Sequence, residues 1–479
     1  MIRSLEIGKR ALLASQRGLD VTSNNIANVN TPGYARQAIS LRPGESIPVG
    51  GTMLGMGVLV TNIRQFRDQL IERDVRTYTA TQSYYQQSQT IFQRIEAALG
   101  EPGDQTIQTA LQQFFDAASE LASNPSRMAN RQLFVARAAD LASQFNRVSS
   151  AIADLRSSTA DRTSQDIERV NQLLAKLAGI NQQINATLDS SGQPAPSLVD
   201  QQHQALEELS AYLDISVTRA ATGTVNVSSG GMMLVSLDSS LKLRVEKNLD
   251  SSSGATTLRI TAQKQDGTSV GTLSPGSGEL AALIEHYNVT LNPAAPSSQF
   301  SVARELDRLA SAFADRVNTI AAGGYGLSDS GPTPPGRPIF VAAGGGPLSA
   351  GTIQLNPALA SDPALVPTAS APGEPGNNAV VSAIAALASD SSFLDTLTPE
   401  GYYGSITAQL ADRGAGASDR LSAAQATLNQ INQERQSLSG VNLDEEATNL
   451  ITYQRAFEAA ARVVTVTSDM LSTIVNLGR

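Results

Sequence analysis

The sequence predicts a mainly α-helical (α+β) protein that is elongated and divided into several domains. Large apolar side chains recur every seven residues at both ends of the 479-residue chain. Residues 126–178 contain no glycine or proline, and an unbroken helix of that length would be about 80 Å long at roughly 1.5 Å per residue. Farther along, apolar and polar residues alternate between positions 214 and 277, as expected for β-strands.

The two ends of the chain carry the features of helices that pair with each other. Seven-residue spacing places the apolar side chains on one seam of a helix, and so narrow a seam is stable only against another helix. The predicted assembly seam consists of Leu5, Leu12, Leu19 and Ile26 near the start, and Leu443, Leu450, Phe457, Val464 and Leu471 near the end. We therefore predict a terminal coiled-coil domain formed by residues 1–37 and 441–479.

Small side chains flank the first half of this seam, at Gly8, Ala11, Ser15, Gly18 and Thr22. We expect them on the side of the helix that its C-terminal partner does not occupy, where a neighbouring molecule could approach closely. A narrow two-helix seam buries too little apolar surface to offset the conformational entropy of ordering both ends. We therefore expect the ends to fold only when neighbouring copies cover them.

The interior predicts a helical region interrupted by one small insertion. Helical spacing extends over residues 63–99 and 105–122, continues in the long run from residue 126, and returns after residue 278. Residues 323–376 hold 21 of the 58 glycine and proline residues and should be rich in loops. The predicted domains are a helical rod domain at 38–213 plus 278–440, with 323–376 loop-rich, and an inserted β domain at 214–277.

Composition disfavours several classes of function. The net charge of −9 argues against nonspecific binding to nucleic acid or anionic membranes, and no stretch predicts membrane insertion. The chain has no cysteine, and its two histidines, His203 and His286, lie far apart without a ligand pattern. The acidic run Asp444–Glu446 fits the start of a helix, where carboxylates interact favourably with the helix dipole. We therefore predict that the protein is not an enzyme and has no catalytic residues, cofactor or metal.

A highly specific motif lies in the segment Ala11–Gln37. Its core, Ser23–Tyr34, is SNNIANVNTPGY and resembles the N-terminal signature of the bacterial flagellar rod, hook and hook-associated proteins. The segment Ser439–Leu477 near the end of the chain resembles the C-terminal partner segment of the same family. The motif residues are Asn24, Asn25, Asn28, Thr31, Pro32, Gly33 and Tyr34. Their amides could pair with neighbouring helices, whereas an ordinary helix end is the alternative interpretation.

Long helices inward of both ends favour the hook-associated members of that family over the hook and rod proteins, which are β-rich between their ends. The resemblance implies a structural protein that joins hook to filament as a junction adapter ring of about eleven copies. It also implies export through the flagellar type III apparatus, so that the protein is secreted to the extracellular hook–filament junction and serves motility. That agrees with charged residues interrupting any N-terminal secretory signal.

The resemblance further implies which partners the chain has. They are further copies of itself, the hook protein, the second junction protein and an export chaperone on the C-terminal helix. Two alternatives remain open from the sequence. The chain could be another flagellar axial protein, such as a hook or rod component, or its β insertion could be a surface-displayed binding or enzymatic module.

Overall fold

The computed structural model describes residues 2–49, 52–100, 103, 106–188, 192–249 and 255–477. Residues 1, 478 and 479 of the predicted terminal domain and residues 250–254 of the predicted β domain lie outside the described residues. Within the described ranges the α-helices are Ile2–Ala27 (α1), Gln69–Leu99 (α2), Ile107–Ser123 (α3), Met128–Ala186 (α4), Pro196–Tyr212 (α5), Glu279–Glu285 (α6), Val302–Ala321 (α7), Pro357–Ser361 (α8), Ala379–Ala386 (α9), Pro399–Ser439 (α10) and Leu443–Leu477 (α11).

The strands form small antiparallel sheets. They are Gln37–Pro43 (β1), Ser46–Val49 (β2), Thr52–Gly55 (β3), Val58–Gln65 (β4), Ser216–Arg219 (β5), Val225–Ser229 (β6), Met232–Ser236 (β7), Ser239–Ser240 (β8), Lys242–Leu249 (β9), Thr256–Gln263 (β10), Ser269–Leu273 (β11), Phe340–Ala342 (β12) and Ile353–Leu355 (β13). The sheet orders are β1-β4, β2-β3, β5-β6-β7-β8, β11-β10-β9 and β12-β13. The predicted mainly α-helical fold with a β insertion is confirmed.

Helices dominate because the long apolar repeats of the sequence are buried along them. Helix α4 spans 59 residues and continues through Gly179, since Ile180 and Ile184 beyond it are buried and Asn181 bonds Val225 of the β insertion. Helices α2 and α10 pack antiparallel, with Gln89 bonded to Ser418 and Glu72 close to Arg435. The described part of the chain contains no helix both long and apolar enough to cross a membrane.

Helix α2 begins later than the sequence predicts. Residue Ile63 lies in strand β4 and pairs with Ile39 of β1, so the predicted helix start at residue 63 is wrong. The helix starts after Asp68, whose carboxylate accepts a hydrogen bond from the Leu70 backbone N–H at 2.8 Å. Pairing with a strand far from it in sequence outweighed the local helical spacing.

The central core is built around aromatic rings from four segments. Phe114, Phe134, Phe313 and Phe340 are all essentially inaccessible to solvent. The Phe114 ring lies 5.2 Å from the Phe134 ring and 5.3 Å from the Phe313 ring. These contacts bring α3, α4, α7 and β12 together, so residues on both sides of the β insertion share one core.

Asparagine side chains attach the β insertion to the helices. Asn171 and Asn181 of α4 each pair their amide with the backbone N–H and C=O groups of a strand, at Leu243 and Val225. Asn288 does the same at Leu258. An amide used this way takes the place of a neighbouring strand at positions that the ladder does not reach, so the backbone groups there are satisfied by the helical segments.

The segment 323–376 is rich in loops, as predicted, and a buried arginine organises part of it. Arg131 of α4 is fully buried and donates to the carbonyls of Val366 at 2.7 Å and Ala364 at 3.3 Å and to the Thr368 hydroxyl at 2.7 Å. Its Nε donates to the Pro125 carbonyl at 2.7 Å. The Ala364 carbonyl also accepts from the Leu327 backbone N–H at 2.9 Å. The guanidinium therefore supplies donors chiefly to the Val366 and Pro125 carbonyls and ties the loop segment to α4.

His286 is buried and should make the fold sensitive to acid. Its side chain is 3% exposed, its Nδ1 lies 3.0 Å from the Thr290 hydroxyl, and its Nε2 has no partner among the described residues. Burial lowers the pKa of His286 from 6.5 to about 4. As the pH falls, the unfolded chain therefore binds the proton first, and this histidine should lower the free energy of unfolding by about 2 kcal/mol between pH 7 and pH 5.

The variant His286→Met removes this titration and keeps an apolar side chain of similar size. Urea denaturation at pH 7 and pH 5 should show a smaller acid loss of stability in the variant than in the unsubstituted protein. The difference between the two proteins at pH 8, where the imidazole is neutral in both states, measures the packing change alone. An equal acid loss in both proteins would contradict the assignment.

Candidate functional site

The candidate site is the pair of terminal helices, α1 and α11, which pack antiparallel. Small residues of α1 form the contact. A Cβ atom added at Gly18 would lie 2.6 Å from the Tyr453 ring, and one added at Gly8 would lie 2.9 Å from Val464 Cγ2. Ser15 and Thr22 are buried on the same face. The expectation that the small residues face away from α11 is therefore wrong, because close approach of the two helices itself requires them.

The predicted seam residues lie at the edges of this contact. Leu5, Leu12, Leu19 and Ile26 of α1 are half-buried, as are Leu450, Phe457, Val464 and Leu471 of α11, whereas Leu443 is 50% exposed. Within one chain the seam is therefore only partly covered. The role of these residues in assembly remains a prediction.

Asn25 holds α1, the following strand and α11 together. This motif residue is 1% exposed, and its Nδ2 donates to the Gln37 carbonyl at 2.9 Å and to Glu446 Oε2 at 3.0 Å. Its Oδ1 accepts from the Gln37 N–H at 3.0 Å and from the Tyr34 hydroxyl at 2.8 Å. Every donor and acceptor of the amide is used within the chain, so an apolar replacement would leave several buried groups unpaired.

Glu446 is the partner that sequence analysis missed. It is 1% exposed and accepts from Arg36 Nε at 2.8 Å, while Arg36 Nη2 donates to Glu445 at 2.8 Å. Burial raises the pKa of the Tyr34 hydroxyl, and the Asp200 and Glu446 carboxylates raise it further, so this group remains a donor. The acidic run at the start of α11 does more than interact with the helix dipole. No local signal relates Glu446 to Asn25, which is 421 positions away.

The remaining motif residues form a turn at the end of α1. Asn28 donates to the Asn24 carbonyl and side chain at 2.9 and 2.8 Å, and Thr31 donates to Asn28 at 3.1 Å. Pro32 is exposed. Gly33 has a φ of +79°, a left-handed backbone conformation that glycine adopts more easily than other residues. This part of the motif matches the alternative of a helix end. The turn lines two open pockets of about 390 and 410 Å³.

An apolar stripe on α11 remains uncovered. Its residues are spaced three or four positions apart and are between 47% and 81% exposed; they are Val463, Val466, Met470, Ile474 and Leu477. Ile2 and Leu13 of α1 are also exposed, at 76% and 48%. The stripe extends beyond α1, since Gly8 faces Val464 and the described part of α1 begins only six residues earlier. An uncovered stripe of this kind is typical of a surface that packs against another chain.

Comparison with known proteins identifies the family. The sequence-family model described as flagellar hook-associated protein FlgK helical domain matches residues 92–340, more than half of the chain. The chain belongs to the FlgK family. Models of the flagella basal body rod protein and of the basal body rod FlgEFG protein C-terminal region match residues 5–34 and 432–477, which include most of α1 and all of α11.

Individual relatives agree with this family assignment. Flagellar hook-associated protein 1 of Bacillus subtilis is 26% identical, over 98% of this chain and 97% of that protein. Its Escherichia coli namesake is 25% identical over 66% of this chain, and the match spans 56% of that protein. The structure of the flagellar hook junction protein FlgK from Burkholderia pseudomallei has a TM-score of 0.61 at 16% identity, covering 77% of this chain and 100% of that one, which shows a shared fold.

Membership in the FlgK family confirms the interpretation drawn from the long helices and the terminal motif. The chain is a structural component of the bacterial flagellum at the hook–filament junction, and it assembles with other flagellar components. Within the described ranges, no group of three or more histidine or acidic side chains is placed to hold a metal ion.

Proposed function

We propose that copies of this chain assemble through α1 and α11 into a closed ring of about eleven subunits, an adapter between the hook protein and the second junction protein. The uncovered stripe at Val463, Val466, Met470, Ile474 and Leu477 is the observation that supports this most directly. The half-buried seam residues lie on the same two helices, α1 and α11. A second layer of helices from neighbouring copies would bury both sets.

The domain division belongs to the same proposal. Residues 1–37 and 441–479 form the assembly domain, 38–213 plus 278–440 form the rod, and 214–277 form the inserted β domain. The sheet β1-β4 packs on α1. The link before β4 also contacts this helix, with Gly57 close to Ile7 and Arg10 donating to the Met56 carbonyl. Strands β1 to β4 therefore lie against the assembly domain, although most of their residues are numbered within the rod segment 38–213. We call these four strands the β1–β4 arm.

Two further partners, the export apparatus and a chaperone, would act before assembly. The chain leaves the cell unprocessed through the flagellar type III apparatus and acts outside it, without a catalytic role. A chaperone covers α11 before assembly, because the apolar stripe would otherwise favour aggregation.

Charges placed on the stripe should test the assembly role. The double variant Val466→Asp and Met470→Asp is expected to abolish incorporation into the junction, because the carboxylates would be buried without partners. The rod should keep its thermal unfolding midpoint, since neither side chain belongs to its core. Incorporation is measured by complementing a non-motile strain that lacks its own copy of the protein, followed by immunoblotting of purified hook–filament material.

Ser468→Asp is the matched control, because Ser468 is exposed on α11 but lies roughly half a turn away from the stripe. It should leave incorporation unchanged. Normal incorporation of the double variant would refute the proposed role of the stripe. Failure of the control as well would show that added charge anywhere on α11 blocks export or assembly, which also contradicts a role specific to the stripe.

A further inference from the structure

Two connections link the terminal helices to the rod, one of three residues and one that contains four strands. Residues 440–442 join α10 to α11, and a Cβ atom added at Gly440 would lie 2.3 Å from the Gln436 carbonyl oxygen. The other connection runs from the turn after α1 through the β1–β4 arm to the start of α2. Arg67, which follows β4, contacts both the turn after α1 and the helices of the rod.

Arg67 bridges three separate segments. Its Nη2 donates to the Gly33 carbonyl at 2.5 Å and to Asp200 Oδ1 of α5 at 2.6 Å, and its Nη1 donates to Glu72 Oε1 of α2 at 3.0 Å. The Arg67 side chain is only 11% exposed. Gln65 at the end of β4 also donates to Asp200, at 2.8 Å. The motif turn, the β arm and two rod helices therefore meet at one guanidinium.

Glu72 extends this contact to the end of α10. It is 4% exposed, and its Oε2 lies 3.4 Å from His203 Nδ1 and 4.0 Å from Arg435, which pairs with Glu207 at 2.9 Å. Burial alone would raise the pKa of Glu72, but His203, Arg67 and Arg435 outweigh it and lower the pKa to about 2. The Glu72 carboxylate therefore stays charged and attracts the two cationic side chains beside it, Arg67 and Arg435.

His203 contributes as a neutral group. Arg219 can only donate, and its Nη2 lies 2.9 Å from His203 Nε2, so that nitrogen accepts and the proton resides on Nδ1, facing Glu72. Burial lowers the pKa of His203, in agreement with a neutral ring. The charge contacts thus continue from the motif turn to β5, the first strand of the β insertion.

We propose that Arg67 is the positioning residue that sets the direction in which the β1–β4 arm, and the helix α1 that it carries, leaves the rod. We call Arg67, Glu72, Asp200 and Arg435 the charged joint. A guanidinium offers five donors in a rigid plane and can satisfy a carbonyl and two carboxylates at once, whereas a lysine ammonium is a single flexible point charge. Arg67 would set this direction in a single free chain, so its role does not require the assembly through α11 proposed above.

Distance measurement on the full chain tests the joint. The chain has no cysteine, so Arg42→Cys on β1 and Gln425→Cys on α10, both at exposed positions, give two specific sites for spin labels. Both labels lie outside residues 1–37 and 441–479, so the measurement does not require the terminal helices to be folded. Double electron–electron resonance should give one narrow distance distribution while Arg67 is present.

Arg67→Met should replace that narrow peak with a broad or shifted distribution, and Arg67→Lys should broaden it despite keeping the charge. The control Arg73→Met removes an exposed arginine from the first turns of the adjoining helix α2, where its side chain pairs with Asp74, and it should leave the peak unchanged. Circular dichroism and the thermal midpoint confirm that each variant retains the rod. An unchanged peak in both Arg67 variants would overturn the proposal, and so would a distribution that is already broad with Arg67 in place.

Discussion

Replacing Gly8 and Gly18 together by alanine is expected to separate α1 from α11 and to abolish incorporation into the junction. Each added methyl group would lie closer to α11 than side chains pack, at 2.9 Å from Val464 and 2.6 Å from the Tyr453 ring. At Gly18 the added methyl group would also lie 2.8 Å from Cγ of Tyr453, and because Cγ does not move when the ring turns about the Cβ–Cγ bond, that rotation cannot relieve the overlap. The measurement is incorporation of the variant in a complemented strain, with secretion followed in the culture medium.

Gly179→Ala is the matched control for this pair. Gly179 also lies within a long helix, but a Cβ atom added there meets nothing within 4 Å. The control should incorporate normally and gain about 0.5–1 kcal/mol of stability, because alanine loses less conformational entropy than glycine in a helix. Normal incorporation of the double alanine variant would contradict the view that close approach of α1 and α11 is required.

Arg131→Met is expected to lower the free energy of unfolding by about 3 kcal/mol, because it leaves buried carbonyl oxygens without donors. Within the described part of the chain, the acceptors of Arg131 are the carbonyls of Pro125, Ala364 and Val366 and the Thr368 hydroxyl. Burial lowers the pKa of Arg131 to about 10, so it remains charged at neutral pH. Urea denaturation followed by circular dichroism measures the loss.

Arg137→Met provides the comparison on the same helix. Arg137 is 38% exposed and pairs with Asp140 three residues later, so its replacement should change stability by less than about 0.5 kcal/mol. Limited proteolysis should in addition show faster cleavage within 323–376 in Arg131→Met only. Equal stability of the two variants would mean that the loop segment is held by its other contacts.

Much of the fold could be predicted from local patterns. Helices α1 and α11 follow from seven-residue spacing, α4 from a long run without glycine or proline, and the insertion from a change to two-residue spacing. These patterns work because side-chain direction repeats with the local backbone period. Where a distant partner competes, they fail, as at Ile63, which pairs in a strand instead of opening α2.

The candidate site was predicted only in part. The motif identified Asn25 and Tyr34, but Glu446 looked like an ordinary acidic residue at a helix start. The small residues of α1 were recognised, but they were predicted to face a neighbouring molecule, whereas Gly8 and Gly18 face α11 of the same chain. Each of these facts depends on which surfaces meet after the chain has closed on itself, and a one-residue rotation of either helix would change them.

Local patterns were enough to predict that the ends are helices with a shared period, that long helices lie inward of them, and that a β unit is inserted between. Three contacts became visible only in the folded chain: α11 packs on the small-residue face of α1, Asn25 bonds Glu446, and Arg67 joins the β1–β4 arm to the rod. The difference lies in the sequence separation over which each interaction acts. Helix and strand periods arise from neighbouring residues, whereas buried hydrogen bonds and ion pairs between residues hundreds of positions apart exist only once the backbones have been brought within a few ångströms.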